Sequence, residues 1–173
     1  MDGHFPLLAI DPGTQCGWAS IADAGADVAS GVVIMEGGNT GAAMATAERR
    51  FASMIEVYEP ALVYVENGII PKHMDRRSTM KLFGFRCILE MVAHRRGIPV
   101  RTFEPRDIKW QIAGSRSADK AAMIRAVEQL GYSPSDDNEA DAIAILECAM
   151  WKECPKTWSA RDAGRLFKFG RSK

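Results

Sequence analysis

Three carboxylates occupy positions where an ionised acid is hard to keep. Asp11 ends the apolar run Leu7-Leu8-Ala9-Ile10, Glu66 ends the run Leu62-Val63-Tyr64-Val65, and Asp141 lies among Ala140, Ala142, Ile143 and Ile145. Burial penalises the charged form of an acid unless a cation or hydrogen-bond donors accompany it. If the two runs are neighbouring strands, Asp11 and Glu66 stand side by side at one sheet edge, where like charges repel. A hard divalent cation is the economical way to hold both ionised. Asp141 falls one turn inside a helix, with Asp137 at i−4 and Asn138 at i−3 on its face and Glu139 turned almost the opposite way. One of Asp137 and Asn138 is expected to complete the cluster.

The elements that must carry these residues follow from periodicity and turn chemistry. Pro12-Gly13 reverses the chain after Asp11, so the segments on either side form a hairpin, and a β-rich run over 28–35 extends the antiparallel part of the sheet. Apolar residues at helical spacing predict an amphipathic helix over 42–58, ending before Pro60, and a short buried strand then leads to Glu66. A loop over 67–75 holds Ile69, Ile70, Lys72 and His73, its two isoleucines either tucked into the core or exposed to a partner. A long helix over 76–96 has an apolar stripe of Met80, Phe83, Cys87, Ile88, Met91 and Val92, with Arg76, Arg77, Lys81 and Arg86 on its other face. A strand over 98–103 and a short helical piece through Ile108, Trp110 and Ile112 come next. The turn Gly114-Ser115-Arg116-Ser117, flanked by Lys109 and Lys120, precedes a helix over 118–130 with Ser117 as its N-cap. The last helix spans 137–151, its first turn rich in acids, with Asp136 and Glu139 spaced as a capping box.

Length and composition bound the partners. At 173 residues the chain fits one domain, and 47% hydrophobic with 25% charged residues is ordinary for a water-soluble globular protein. No apolar run reaches the length of a membrane span, and the N-terminal residues lack a signal-peptide layout, so a cytoplasmic location without membrane contact is expected. The four cysteines form no C-x-x-C pair and the three histidines have no ligand spacing, which argues against zinc and for reduced thiols. A net charge of zero conceals segregation: thirteen Lys and Arg face five Asp and Glu between positions 72 and 125, and six face one between 156 and 173. Clustered positive charge of this kind suits a phosphate backbone, and equally a solvated helix face. The expected organisation is one folded domain over 1–155 and a basic tail over 156–173, whose Trp158, Phe167 and Phe169 fit either a nucleic-acid-binding extension or a partly disordered end.

In this order the motifs resemble the RuvC family of Holliday-junction resolvases, in particular its phage-type branch. Ile10-Asp11-Pro12-Gly13-Thr14 with Gly17 is similar to the family's first motif, Val65-Glu66-Asn67 to its second, and Ala140-Asp141-Ala142-Ile143-Ala144 to its last. Ile108-Lys109-Trp110-Gln111 and Ser117-Ala118-Asp119-Lys120 match its two basic positions. The resemblance implies an α/β, ribonuclease H-like fold: a mixed five-stranded sheet with helices on both faces. It implies a metal-dependent endonuclease that resolves four-way DNA junctions by paired symmetric nicks, as a homodimer. Asp11, Glu66 and Asp141 would bind two Mg2+ ions, with Mn2+ able to substitute; Lys120 would sit at the scissile phosphate and Lys109 on the backbone nearby. Ile69, Ile70, Lys72, Arg76, Arg77, Lys81 and Arg116 are the further DNA contacts this reading expects. Two positions depart from the family: its usual fourth acid is Asn138 here, leaving Asp137 or a weaker amide ligand, and the aromatic that follows the second acid is Ile69. Alternatives of the same fold are a debranching or flap nuclease, an RNA nuclease, or a junction-binding protein with weakened catalysis. An actin-like ATPase would share the first motif but needs two lobes and a second phosphate loop.

Overall fold

The computed structural model describes residues 4–68 and 75–155. The first strand, β1 (Leu7–Asp11), buries Leu8 and Ile10 in one hydrophobic layer and Leu7 and Ala9 in the other. That two-residue alternation, apolar on both sides, marks a strand covered on both faces. Antiparallel β2 (Gln15–Ile21) and β3 (Val28–Ile34) lie on one side of it, and parallel β4 (Leu62–Glu66) and β5 (Val100–Phe103) on the other, giving the order β3-β2-β1-β4-β5. This is the mixed five-stranded sheet expected from the sequence. One face packs on α1 (Thr40–Tyr58) and α2 (Arg76–Arg95) through Phe51, Ile55, Phe85 and Leu89. The opposite face packs on α3 (Pro105–Ala113), α4 (Lys120–Gln129) and α5 (Asp137–Glu153). No helix among the described residues is long and apolar enough to cross a membrane.

Helix α5 is the most deeply set, with an unbroken buried run from Ala142 to Met150. Each of its ends is fastened by a glutamate, buried Glu139 at the first and partly buried Glu153 at the last. Glu139 accepts hydrogen bonds from Ser30 on β3 (2.7 Å) and from the backbone and hydroxyl of Ser135 (2.8 and 2.6 Å). Glu153 accepts from the Tyr64 hydroxyl (2.5 Å) and the Arg101 guanidinium (2.6 Å), with His4 Nδ1 at 2.9 Å, so its end is tied to β4 and β5. The capping box is therefore half formed: Asp136 accepts from the Glu139 backbone N–H at 2.9 Å, while the Glu139 side chain turns to the serines.

Two helices differ from the sequence expectation. In α2 the buried positions are Phe85, Leu89, Val92 and Ala93, whereas Met80, Phe83 and Cys87 are exposed. The cause is the contact with α1: a Cβ at Gly84 would stand 2.5 Å from Met44 Sδ, so the glycine faces the neighbour and sets the rotation of the helix. Helix α4 starts at Lys120, not at 118, because the Asp119 carboxylate accepts from the Ala122 N–H (2.8 Å) and takes the capping place assigned to Ser117. Cys16, Cys148 and Cys154 are buried.

Candidate active site

Strand parity aims the first two acids. Leu7 and Ala9 on β1, and Leu62 and Tyr64 on β4, pack in the layer of α5, so Asp11 and Glu66 continue the same two series. Ile10 is paired with Val65 in parallel register, which makes Asp11 and Glu66 the next residues on adjacent strands. Asp141 reaches them because α5 lies directly on β2: Gly17, the register partner of Asp11, is so close to the helix that a Cβ there would sit 1.9 Å from the Asn138 carbonyl oxygen.

Burial and neighbouring acids raise the pKa of all three carboxylates. Burial, then the charges of Asp141 and Glu66, push Asp11 up to about 7. Burial and then Asp141 push Glu66 up to about 7, against a downward pull from Lys109. Burial pushes Asp141 up to about 6, with Lys120 pulling it down and Asp137 pushing it further up. Their donor set is oxygen only, as a hard divalent cation prefers, and positive charge between them would relieve both the burial and the repulsion. The residues present thus fit such an ion. Among the described residues no three acid, histidine or cysteine side chains close into a finished ligand cage. Asp11 and Glu66 instead front a cleft of about 330 Å³ whose far wall is Leu82, Phe83, Arg86 and Glu90 of α2.

Of the two candidates for a fourth acid position, Asp137 is hydrogen-bonded to the Lys120 ammonium. That bond raises the lysine's pKa and lowers the aspartate's. Asn138 directs its amide nitrogen to Gln15 Oε1 (3.3 Å) and Asp136 Oδ2 (3.2 Å), so oxygen is what remains for a cation. Lys109 and Lys120 both act on the acid cluster, Lys109 on Glu66 and Asp141 and Lys120 on Asp141 and Asp11. The other expected contacts are less gathered. Arg76 and Arg77 are exposed on the first turn of α2, and Lys81 lines a groove with Thr14, Gly37 and Gly38. Arg116 lies over the Trp110 ring. Ile69, Ile70, Lys72 and the tail over 156–173 lie outside the described residues.

Two residues at the site escaped the sequence reading. Glu104 follows the last residue of β5, raises the pKa of Glu66 and accepts a hydrogen bond from Asn67 at 2.7 Å. The pattern that found Asp11 and Glu66, an apolar run ending in an acid, is only faint here, because Arg101 and Thr102 interrupt β5 and Glu104 falls just past its end. Arg86, placed on the solvent face of α2 in the sequence reading, reaches back to the Glu66 carbonyl oxygen (3.2 Å) while paired with Glu90 at 2.7 Å.

Comparison with known proteins gives a consistent result. The sequence profile described as "Crossover junction endodeoxyribonuclease RuvC" matches residues 7–149. A protein of that name from Thermobifida fusca is 32% identical over 155 residues, covering 84% of each chain. One from Ruegeria pomeroyi is 29% identical, over 90% of this chain and 97% of its own. Among solved structures, Thermus thermophilus RuvC in complex with a Holliday junction substrate aligns with a TM-score of 0.70 at 22% identity, covering 92% of this chain and 97% of that one. The yeast mitochondrial Holliday junction resolvase aligns with a TM-score of 0.62 at 13% identity, covering 95% of this chain and 85% of that one.

Proposed function

The chain belongs to the RuvC family of crossover junction endodeoxyribonucleases, and from that premise we propose that it resolves four-way (Holliday) DNA junctions by metal-dependent hydrolysis of phosphodiesters. The observation that carries this reading is the meeting of Asp11, Glu66 and Asp141, from β1, β4 and α5, each held above the ordinary carboxylate range beside Lys109 and Lys120. These acids would hold two Mg2+ ions, with Mn2+ able to substitute and Asp137 or Asn138 as a fourth ligand. Bound there, the ions supply a metal-activated water and stabilise charge on the attacking and leaving oxygens.

The chain's own residues do the rest. Lys120, tethered by Asp137, presents its ammonium to the scissile phosphate, and Lys109 neutralises the backbone on the Glu66 side. Arg86 steadies the end of β4 through the Glu66 carbonyl. Paired nicks call for two active sites related by a two-fold axis, so the working form is a homodimer. The exposed Met80, Phe83 and Cys87 on α2 suit that contact, with Arg76 and Arg77 extending the basic surface. We assign residues 1–155 to the nuclease domain and 156–173 to a basic DNA-binding tail, acting in the cytoplasm.

The deciding experiment compares cleavage of a four-way junction with linear duplex, flap and RNA·DNA hybrid in Mg2+. Paired symmetric nicks in the junction, with the others cut at least about ten-fold more slowly, are expected; equal rates on all four would remove the resolving role. A second reading, a junction binder with weakened catalysis, rests on Asn138. A charged ligand there should hold an ion more firmly, so Asn138→Asp is expected to raise the junction cleavage rate several-fold in limiting Mg2+, roughly the gain of one charge-assisted contact. Asp137→Ala is expected to lower the rate by freeing Lys120. Unchanged rates in both would show that neither position serves the ions.

A further inference from the structure

We infer that Trp110, flanked by Arg116 and Arg106, is a stacking platform for a nucleobase of a DNA strand running past the acid cluster, an inference that rests on the DNA-cleaving reading above. Helix α3 anchors itself through Pro105 and Ile108, and the Trp110 side chain is left out of the core with 58% of its surface exposed. A single exposed apolar residue needs no explanation; the surroundings of this one do. The Arg116 guanidinium lies 5.9 Å from the ring centroid, a cation–π distance that favours a fixed ring orientation. Arg106, exposed four residues earlier, shares the Trp110 face of the helix. Lys109, the preceding residue, acts on Glu66 and Asp141.

The position along the chain fits the same occupant. Helix α3 starts immediately after Glu104, which borders Glu66, and Trp110 lies about 8 Å of helix beyond Pro105. An exposed aromatic plane with one guanidinium over it and a second on its helix face, next to a phosphate-cleaving centre, has the complement of a polyanion whose bases present flat, apolar faces. Stacking on such a plane is tolerant of sequence and is strongest for a base already freed from its pair, as at a branch point. Trp110 is thereby assigned to substrate positioning, apart from the lysines that meet phosphates.

The test uses the full chain and a four-way junction carrying 2-aminopurine beside the branch, in EDTA so that no strand is cut. Trp110→Ala is expected to weaken junction binding about ten-fold and to lose the quenching of 2-aminopurine. Trp110→Phe, which keeps a ring, is expected to retain both within about two-fold, and the salt dependence of binding stays unchanged in either variant because no phosphate contact is removed. Wild-type affinity and quenching in Trp110→Ala overturn the inference while leaving the nuclease reading intact. So does a loss of self-association in sedimentation with junction affinity unchanged, which would give the indole to a second copy of the chain. Absence of junction binding by the wild-type protein overturns both readings.

Discussion

Asp11→Asn is expected to reduce junction cleavage by at least about a thousand-fold and, in the same preparation, to raise the melting temperature of the metal-free protein. The first effect follows from removing a central charged oxygen donor while keeping the shape of the side chain. The second follows from linkage. The Asp11 carboxyl is held at about 7 against an ordinary value of 3.8, so the folded chain binds that proton more tightly than the unfolded chain does. Below pH 4 both states are protonated and the site costs nothing. As the pH rises from about 4 to about 7 the unfolded state ionises freely while the folded one resists, and stability is lost; above 7 the full penalty stands. Asparagine removes it. The stability difference between variant and wild type should therefore be near zero at pH 4 and grow to on the order of 2 kcal/mol at pH 8. Taking the difference cancels the acids elsewhere that titrate in the opposite direction, such as Asp137 and Glu153. Thermal melts in EDTA at several pH values measure it, and added Mg2+ should stabilise the wild type more than the variant. A difference that does not vary with pH would mean that Asp11 is not held in the charged cluster.

Gly17→Ala is expected to damage cleavage severely, although glycine does no chemistry. The added methyl would fall 1.9 Å from the Asn138 carbonyl oxygen and 3.2 Å from the Ala142 Cβ. The obstacle is helix backbone, which cannot rotate aside like a long side chain, so α5 must lift off β2. Overpacking of a tight contact costs about 1–3 kcal/mol, and denaturant melts should show a loss at the upper end of that range. The displacement also carries Asp141 away from Asp11 and Glu66. At a temperature where the variant remains folded, cleavage should fall at least about a hundred-fold, since misplacement of about 1 Å is enough for that. A folded Gly17→Ala protein with wild-type activity would show that α5 does not set the position of the third carboxylate.

The acids were legible in the sequence because two simple periods, two for strands and 3.6 for helices, state which side chains fall inside. Asp11 and Glu66 end apolar runs and Asp141 interrupts one. The rotation of α2 was not legible, because the helix offers two overlapping apolar stripes, Met80-Phe83-Cys87 and Phe85-Leu89-Val92. The choice between them is made by Met44 on another helix, against Gly84. For the same reason Arg86 could not be assigned to the site: its reach to the Glu66 carbonyl depends on that rotation. The start of α4 was a contest between two good caps two residues apart, and local pattern does not rank Ser117 against Asp119. Glu104 was only faintly legible, because Arg101 and Thr102 break the apolar run that precedes it.

The two glutamates that grip α5, Glu139 through Ser30 and Ser135 and Glu153 through Tyr64 and Arg101, bear on the proposed metal site. A helix pinned at one end could swing outward and let three crowded negative charges drift apart until the repulsion faded. Clamped at head and foot, this one cannot, so the repulsion between Asp141 and the strand acids is preserved, and on the proposed reading bound cations would relieve it. Part of the drive for metal uptake would then be built into serines, a tyrosine and an arginine that lie outside the proposed ligand set.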